Sequence, residues 1–325
     1  MTAARPSALA AAALAAVLLL IQLPAASARP ASVATARFVA LAADVTAADG
    51  HRYGLRDDTG ATMDAAQIVQ APGAGTYLAV YHSMRADGRF HSAVATSADL
   101  LHWHRRHDFG PGSSQPALAA DGHGGYVLAY EKDPRNHIAV RGYADLDALL
   151  TGRAAHRFDA PRTLSGCAEG TPAITAVHGG TIALTGHYRA DCDTDRQLTA
   201  TLEDFTTWYA APDHRLDRAV RAYGTRGNIG DRDRVRLAGA PMVLVEGQRR
   251  RGDFGSWSAY AYDPASGRAD RVPVRTGGGS TSFANPSATR ITDPDGRRAL
   301  LTSLFIPAEG AAPGESGQLV YWREL

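Results

Sequence analysis

Acidic residues stand directly ahead of three separate β-rich segments of the chain. Asp64 precedes AAQIV, Glu169 lies in CAEGTPAI, and Asp231 and Asp233 flank Arg232 in GDRDRV. Cleavage of a glycosidic bond requires such groups, because one acid must protonate the leaving oxygen while a second carboxylate acts as base or nucleophile. The sequence therefore offers these four carboxylates as candidate catalytic residues.

Three further polar residues are candidates for binding a substrate. Arg232 could keep a neighbouring carboxylate ionised or bind a sugar carboxylate. Glu246 lies within the apolar run MVLVEGQ, where a buried carboxylate is costly unless it is paired. It should therefore either face a pocket or pair with an arginine such as Arg232. Gln115, in GSSQPAL, offers an amide that can hydrogen-bond a sugar hydroxyl.

The elements that must position these residues are short strands joined by Gly- or Asp-rich turns. Strand, turn and strand is a hairpin signal, and it occurs five times at steps of about fifty to sixty residues. The hairpins begin near Ala65, Gln115, Thr171, Asp231 and Ala284. Repeats of four strands at this period are typical of a β-propeller, so we predict an all-β fold with five blades.

The phrases ATSADLLHW and ATLEDFTTW support the repeat. Each places an acidic turn between the end of a strand and a Trp, Trp103 in the first phrase and Trp208 in the second. We interpret them as the same corner of blades one and three, with both Trp side chains packed between blades. The segment Ala36–Val45 is a candidate for the strand that completes the last sheet and closes the ring.

The N-terminus resembles an export signal. A short n-region with one positive charge is followed by the apolar run Ala8 to Ile21 and the small-residue motif Ala26-Ser27-Ala28. We expect residues 1–28 to be a signal peptide and residues 29–325 to form one propeller domain that is secreted. In an oxidising compartment Cys167 and Cys192 should form a disulfide.

The overall charge excludes some partners. The formal net charge is +1 and the basic residues are scattered, so the sequence has no basic stripe of the kind that nucleic acid requires. After Arg29 no segment approaches the roughly 20 apolar residues that a transmembrane helix needs. We expect a monomer whose partner is carbohydrate, with neither nucleic acid nor membrane as a partner once the signal is cleaved.

In its motifs the chain resembles the five-bladed propeller glycoside hydrolases of the arabinanase and xylosidase group, family 43, and its relatives in families 32, 62 and 68. The resemblance is carried by DAAQIVQAPGAGTYLAVYHS, which places Asp64 on the carboxylate of blade one, by CAEGTPAI, which places Glu169 on the proton-donating glutamate, and by the corner SADLLHW. It implies a hydrolase acting on furanosidic or pentosidic linkages. It implies no organic cofactor, although some relatives hold a calcium on the axis, for which the sequence indicates no ligands.

The sequence departs from the family at blade two, where Gln115 replaces an expected Asp. On the enzyme hypothesis Glu169 is the general acid with a raised pKa, Asp64 is the ionised base or nucleophile near Arg232, and Asp231 or Asp233 tunes the pair. The alternative is a non-catalytic carbohydrate-binding propeller, which Gln115 favours. A third interpretation is a sialidase-like propeller with six blades, because the corner motif resembles the aspartate box of that group.

Overall fold

The computed structural model describes residues 32–72 and 75–325. The predicted signal peptide, residues 1–28, lies outside the described residues. Within that part of the chain there are three α-helices and twenty β-strands. The helices are α1 (Val33–Ala42), α2 (Leu146–Leu150) and α3 (His214–Arg221), and the first strand is β1 (Gly50–Arg52).

The twenty strands, β1 included, form five four-stranded antiparallel sheets, which we number as blades in chain order. Blade 1 contains β2 (Asp64–Gln70), β3 (Tyr77–Met84), β4 (Phe90–Ser97) and β5 (His104–Pro111). Blade 2 contains β6 (Ser113–Ala120), β7 (Tyr126–Lys132), β8 (His137–Tyr143) and β9 (His156–Asp159). Blade 3 contains β10 (Glu169–His178), β11 (Thr181–Ala190), β12 (Thr194–Glu203) and β13 (Thr207–Pro212). Blade 4 contains β14 (Arg232–Leu237), β15 (Ala240–Gln248), β16 (Trp257–Asp263) and β17 (Arg268–Arg271).

Blade 5 closes the ring. It contains β18 (Ala284–Thr292), β19 (Arg298–Ile306) and β20 (Gly317–Glu324), and β1 from the other end of the chain pairs antiparallel with β20. The register pairs Gly50 with Trp322, which removes the exposed edge of the last sheet. The protein is thus a five-bladed β-propeller, as the repeat predicts, and the interpretation as a six-bladed propeller is wrong.

The closing segment differs from the sequence prediction. Residues of the predicted strand Ala36–Val45 lie mainly in α1, because Phe38, Leu41 and Ala42 recur at helical spacing and are buried together. The Ser32 hydroxyl accepts a hydrogen bond from the Thr35 N–H and so caps the first turn. The chain closes the ring from its N-terminal side, but with β1 instead.

Tight turns set the hairpin register. Between β10 and β11 both turn residues, Gly179 and Gly180, have positive φ values of 54° and 86°. Two consecutive left-handed residues form the type I′ geometry that suits the twist of a hairpin, and glycine adopts it without steric cost. The strands therefore leave the propeller axis and return as a compact pair.

Apolar side chains pack between neighbouring blades. Four hydrophobic clusters each join two blades, 1 with 2, 2 with 3, 4 with 5, and 5 with 1. The repeated corner contributes to this packing: Trp103 is buried in the cluster of blades 5 and 1, and the Trp208 ring lies 6.2 Å from the Phe158 ring of blade 2. The prediction that both Trp residues pack between blades is confirmed.

The two cysteines form the predicted disulfide. Cys167 precedes β10 and Cys192 lies in the turn between β11 and β12, with Cα atoms 5.5 Å apart. The bond ties the entrance of blade 3 to the turn that joins its second and third strands. It also limits the motion of the loop that precedes Glu169.

Candidate functional site in the axial cavity

The innermost strands place equivalent residues around the propeller axis. Ala65, Gln115, Thr171 and Asn285 each lie near the start of an inner strand with φ between 45° and 51°, at a shift in the strand register. Such bulges redirect side chains and occur often at functional sites. Asp231, directly before β14, occupies the corresponding entrance in blade 4. We call these five residues the axial ring.

Three of the four polar members of the axial ring contact each other across the axis. The Asn285 amide Nδ2 donates to the Gln115 Oε1 at 2.9 Å and lies 3.4 Å from the Asp231 Oδ2. These contacts join blades 2, 4 and 5. The ring is therefore a connected polar floor, and Asp231 is its one carboxylate.

Second-strand side chains brace the axial ring from behind. In three blades such a side chain accepts the backbone N–H of the next blade's ring residue. The bonds are Gln115 N to His82 Nδ1 (3.1 Å), Thr171 N to Glu131 Oε2 (3.2 Å) and Asn285 N to Glu246 Oε2 (2.6 Å). The bracing fixes the backbone of the ring and brings two glutamates to the axis.

A cavity of about 650 Å³ lies above the ring. Its walls combine carboxylates, aromatic rings and amides, the mixture that suits a polyhydroxylated ligand. The carboxylates are Glu131, Asp133, Asp193, Asp195 and Glu246; the aromatic residues are Phe90, Phe254 and Trp257; and Gln115, Asn136, Asn228 and Gln248 supply amides.

Burial changes the acidity of the carboxyl groups of blade 4. It raises the pKa of Asp231 well above its usual range, and the neighbouring charges of Glu246 and Asp233 raise it further. Burial likewise raises the pKa of Glu246 to about 7, with a smaller contribution from Asp195. A carboxyl group that keeps its proton near neutral pH can act as a proton donor.

A charged group on blade 3 lies beside them. The Arg189 guanidinium contacts both oxygens of Asp195, with Nε 3.0 Å from Oδ1 and Nη2 3.3 Å from Oδ2. The Asp195 carboxylate raises the pKa of Arg189, as expected for such a pair. The His187 Nδ1 lies 2.8 Å from the hydroxyl of Thr171, the axial-ring residue of blade 3. Asp195 is thus a carboxylate held against a permanent cation at the cavity wall.

Several predicted residues lie where the sequence pattern places them. Gln115 and Glu246 line the cavity, whereas Asp231 and Asp233 line a separate, small axial pocket of about 10 Å³ that shares Gln115 with the cavity. Burial raises the pKa of Asp233 to about 6, and its Oδ2 accepts the Ala288 N–H at 3.1 Å. Glu246 therefore faces the pocket and is not the partner of Arg232.

The structure places three predicted residues elsewhere. The Glu169 carboxylate is buried and accepts the backbone N–H groups of residues 163–165, so it organises the loop before β10 and does not line the cavity. Asp64 is half-buried, accepts the Thr62 hydroxyl at 2.9 Å and is not among the cavity residues; burial raises its pKa. Arg232 points between blades 3 and 4, where its Nη1 contacts Asp213 at 2.9 Å.

The expectation that Asp64 and Glu169 face each other across the cavity is therefore not met, and Arg232 does not lie beside Asp64. The physical reason is a shift of one or two residues. The bulge directs Ala65 and Thr171 toward the axis, whereas Asp64 and Glu169 precede them in the chain. The motif match is therefore out of register with the axial ring.

Sequence reasoning missed four of the five cavity carboxylates, Glu131, Asp133, Asp193 and Asp195. Glu131 ends the apolar run YVLAYE, as Glu246 ends MVLVE, and each pairs with a residue at its blade's entrance. The signal that identifies Glu246 therefore also applies to Glu131. Asp195 follows a turn in DTDRQL, where nothing in the local pattern marks it.

The possible calcium site is not supported by these side chains. Across residues 32–72 and 75–325, no group of three or more His, Cys, Asp or Glu side chains could hold a metal ion. The ring itself presents Ala65, two amides, a hydroxyl and one carboxylate. None of the described helices is both long and apolar enough to cross a membrane.

This chain is similar to known proteins in its structure. No family model and no curated protein matches the sequence. One similar solved structure is BT0996 in a complex with RGII, with a TM-score of 0.59 and 12% identity over 89% of this chain and 94% of that chain. A second is an exo-1,5-alpha-L-arabinanase from a bovine ruminal metagenomic library, with a TM-score of 0.54 and 13% identity over 83% of this chain and 95% of that chain. A third is a thermostable family-43 glycoside hydrolase, with a TM-score of 0.53 and 11% identity over 81% of this chain and 89% of that chain. The chain shares their fold. The resemblance seen in the motifs therefore extends over most of the chain as architecture.

Proposed function

We propose that this protein is a secreted glycoside hydrolase that binds an oligosaccharide or polysaccharide in the axial cavity and cleaves a furanosidic or pentosidic bond. One observation carries the proposal: carboxyl groups from three blades surround a single aromatic-lined cavity of about 650 Å³. They include Glu131 of blade 2, Asp195 of blade 3 and Glu246 of blade 4. Asp231 of blade 4 lines the small axial pocket next to this cavity, and its backbone N–H donates to Glu246. The fold shared with glycoside hydrolases supports it.

Asp231 is the proton donor in this proposal. It belongs to the axial ring, burial and two carboxyl neighbours raise its pKa, and its Oδ2 lies 3.4 Å from the Asn285 Nδ2 in the small axial pocket next to the cavity. A donor must hold its proton until the leaving oxygen develops negative charge. Glu246, whose two oxygens accept backbone N–H groups of Asp231 and Asn285, fixes this region and disfavours ionisation of Asp231.

Glu131 is the opposing carboxylate. It lies on blade 2, which is not adjacent to blade 4, and its oxygens accept hydrogen bonds from the Asn136 amide at 2.6 Å and from the Thr171 N–H. These donors hold the carboxylate in a fixed orientation. Glu131 then acts as nucleophile, or as base toward a water, on the side of the sugar opposite Asp231. Asp195, held by Arg189, stabilises the positive charge that develops on the sugar ring.

The surroundings of the protein belong to the same proposal. The N-terminal apolar segment and the Cys167–Cys192 disulfide favour export to an oxidising compartment. We propose a monomer that needs no cofactor and whose partner is carbohydrate. The RGII in one similar structure belongs to that protein, and here it only guides the choice of polysaccharides to be assayed.

A non-catalytic carbohydrate-binding propeller is the second candidate. It is favoured by the axial ring, in which blades 1 and 2 present Ala65 and Gln115 where the resemblance implies carboxylates. In that case the cavity would recognise a sugar through the same aromatic and amide groups without cutting it.

One experiment separates the two candidates. Purified protein is assayed for reducing sugar release against arabinans, xylans, fructans and pectic polysaccharide, with binding to the matching oligosaccharides followed by calorimetry. Asp231→Asn should lower turnover by about 10³-fold with little change in affinity, because the amide keeps the shape but has no acidic proton. The exposed Asp295→Asn serves as the matched control. Binding without cleavage by the wild type would establish the lectin-like function, and absence of both would refute the proposal.

A further inference from the structure

The interface between blades 3 and 4 differs from the other four. Each of the others has a hydrophobic cluster that spans both blades, whereas in the described part of the chain no cluster joins blade 3 to blade 4. A cavity of about 460 Å³ lies there instead, lined by residues of both blades and of α3. We call this space the blade 3–4 cleft.

Blade 3 has a polar face toward this cleft, because successive side chains along its strands point to opposite faces of the sheet. Along β11 and β12 the residues Ile182, Leu184, Leu198, Ala200 and Leu202 pack against blade 2. Their neighbours in the alternation, which face the other way, include Thr185, Thr199 and Thr201, all of them on the cleft wall. A sheet face that lies between blades thus carries hydroxyl groups where aliphatic side chains are expected.

Two buried polar atoms at the cleft have no hydrogen-bond partner. One is the Thr185 hydroxyl, on a side chain whose residue is 7% exposed, and the other is the Arg232 Nε, whose residue is 4% exposed. Arg232 is fixed in place, because its Nη1 contacts Asp213 and its Nη2 donates to the Leu198 carbonyl at 2.8 Å. Unpartnered buried polar atoms are rare because they cost free energy, so a ligand that reached these two would remove that cost.

The chemistry of the wall selects a neutral polyhydroxylated ligand. Thr hydroxyls both donate and accept, as sugar hydroxyls do, and the Arg232 Nε–H donates. Val243 and Tyr262 add an apolar surface for the C–H face of a sugar ring. The ionic groups on the wall nearly balance, since three arginines (Arg215, Arg232, Arg234) face two aspartates (Asp213, Asp233), which does not favour a strongly anionic ligand.

We infer that the blade 3–4 cleft is a second carbohydrate site, large enough for a sugar unit and separate from the axial cavity. Its volume falls within the range of small-molecule sites, about 300–1,000 Å³. Thr199 and Arg215 are exposed, so the cleft opens to solvent. The inference rests on this interface alone and does not require the axial cavity to be catalytic.

The test is an NMR titration of the intact protein labelled at Val and Thr methyl groups and at Trp indoles. L-arabinose, D-xylose, D-galactose and D-glucose are added up to about 100 mM, which saturates a millimolar site. The Val243 and Thr201 methyl signals report the cleft, and the Trp257 indole signal reports the axial cavity. Saturable shifts of the two methyl signals with at least one sugar are expected.

Three variants make the assignment specific. Thr185→Val keeps the side-chain shape but removes the hydroxyl, so affinity at the cleft should fall about tenfold, while the thermal midpoint of the free protein rises because an unpartnered hydroxyl is gone. Thr199→Trp fills the cleft mouth and should abolish the methyl shifts. Thr207→Trp, an exposed residue of β13 outside the cleft, should leave them unchanged.

Three results would overturn the inference: cleft signals that no sugar moves, shifts that persist unchanged in both Thr185→Val and Thr199→Trp, or shifts confined to Trp257. The last result would leave the proposed function intact. Conversely, shifts of Val243 and Thr201 without any shift of Trp257 would support the cleft site and count against sugar binding in the axial cavity.

Discussion

Substitution of Glu169 should affect stability and leave turnover unchanged. The Glu169 Oε1 accepts three backbone N–H groups, from Thr163 at 2.7 Å, Leu164 at 2.5 Å and Ser165 at 3.0 Å, and the residue is 2% exposed. Hydrogen bonds to a charged acceptor stabilise by about 1.5–3 kcal/mol each, but the effects of three bonds to one atom are not additive. We expect Glu169→Ala to lower the free energy of unfolding by about 3–5 kcal/mol.

Glu169→Gln is the more informative variant. Its amide oxygen still accepts N–H groups, but the charge is lost, so a destabilisation of about 1–3 kcal/mol is expected. Urea unfolding followed by Trp fluorescence measures it, and Glu203→Gln, an exposed glutamate of β12, should change stability by less than about 0.5 kcal/mol. The reasoning would be refuted by a Glu169→Gln variant as stable as the wild type whose turnover is lower by orders of magnitude. That result would restore Glu169 as the general acid.

Three further predictions concern the architecture. Gly50→Ala should destabilise by about 1–3 kcal/mol in urea unfolding, because an added Cβ would lie 2.1 Å from the Trp322 ring, whereas Gly166→Ala, with open space around it, should be neutral. Cys167→Ser should lower the free energy of unfolding by about 3–4 kcal/mol, since it removes a cross-link across 25 residues; an equal stability of the two proteins under non-reducing conditions would contradict this. The pKa of Asp233 rises on folding from 3.8 to about 6, so the stability due to its protonated form is present below about pH 3.8 and is lost as pH rises through about 6. Asp233→Asn should therefore flatten this part of the stability–pH curve between pH 4 and pH 7, and an unchanged slope would refute the assignment.

The sequence predicts the architecture well because the repeat is redundant. Five hairpins, a repeated acidic corner and two cysteines each support the same blade arrangement, and an error in one would not change the count. The prediction of the closing strand is wrong because Ala36–Val45 is apolar apart from Arg37 and Asp44, and only the helical spacing of Phe38, Leu41 and Ala42 decides its structure.

The site is predicted less well because it depends on single-residue register. Bulges at the starts of β2 and β10 decide whether residue 64 or 65, and residue 169 or 171, reaches the axis, and no local pattern in the sequence reports them. Glu246 can be identified because a carboxylate in an apolar strand is unusual anywhere. Asp195 reaches the cavity from a third strand, so its position depends on how three strands and a disulfide-bonded turn pack together.

The central claim is that Asp231 donates a proton to the leaving group, and the dependence of turnover on the leaving group tests it most directly. Wild type and Asp231→Ala are compared on aryl glycosides of the preferred sugar, one with a dinitrophenol leaving group and one with a methoxyphenol leaving group. A good leaving group needs no proton, so the variant should cleave the dinitrophenyl glycoside almost as fast as the wild type and lose about 10²–10⁴-fold on the methoxyphenyl glycoside. An equal loss on both substrates would contradict the assignment of Asp231 as the acid.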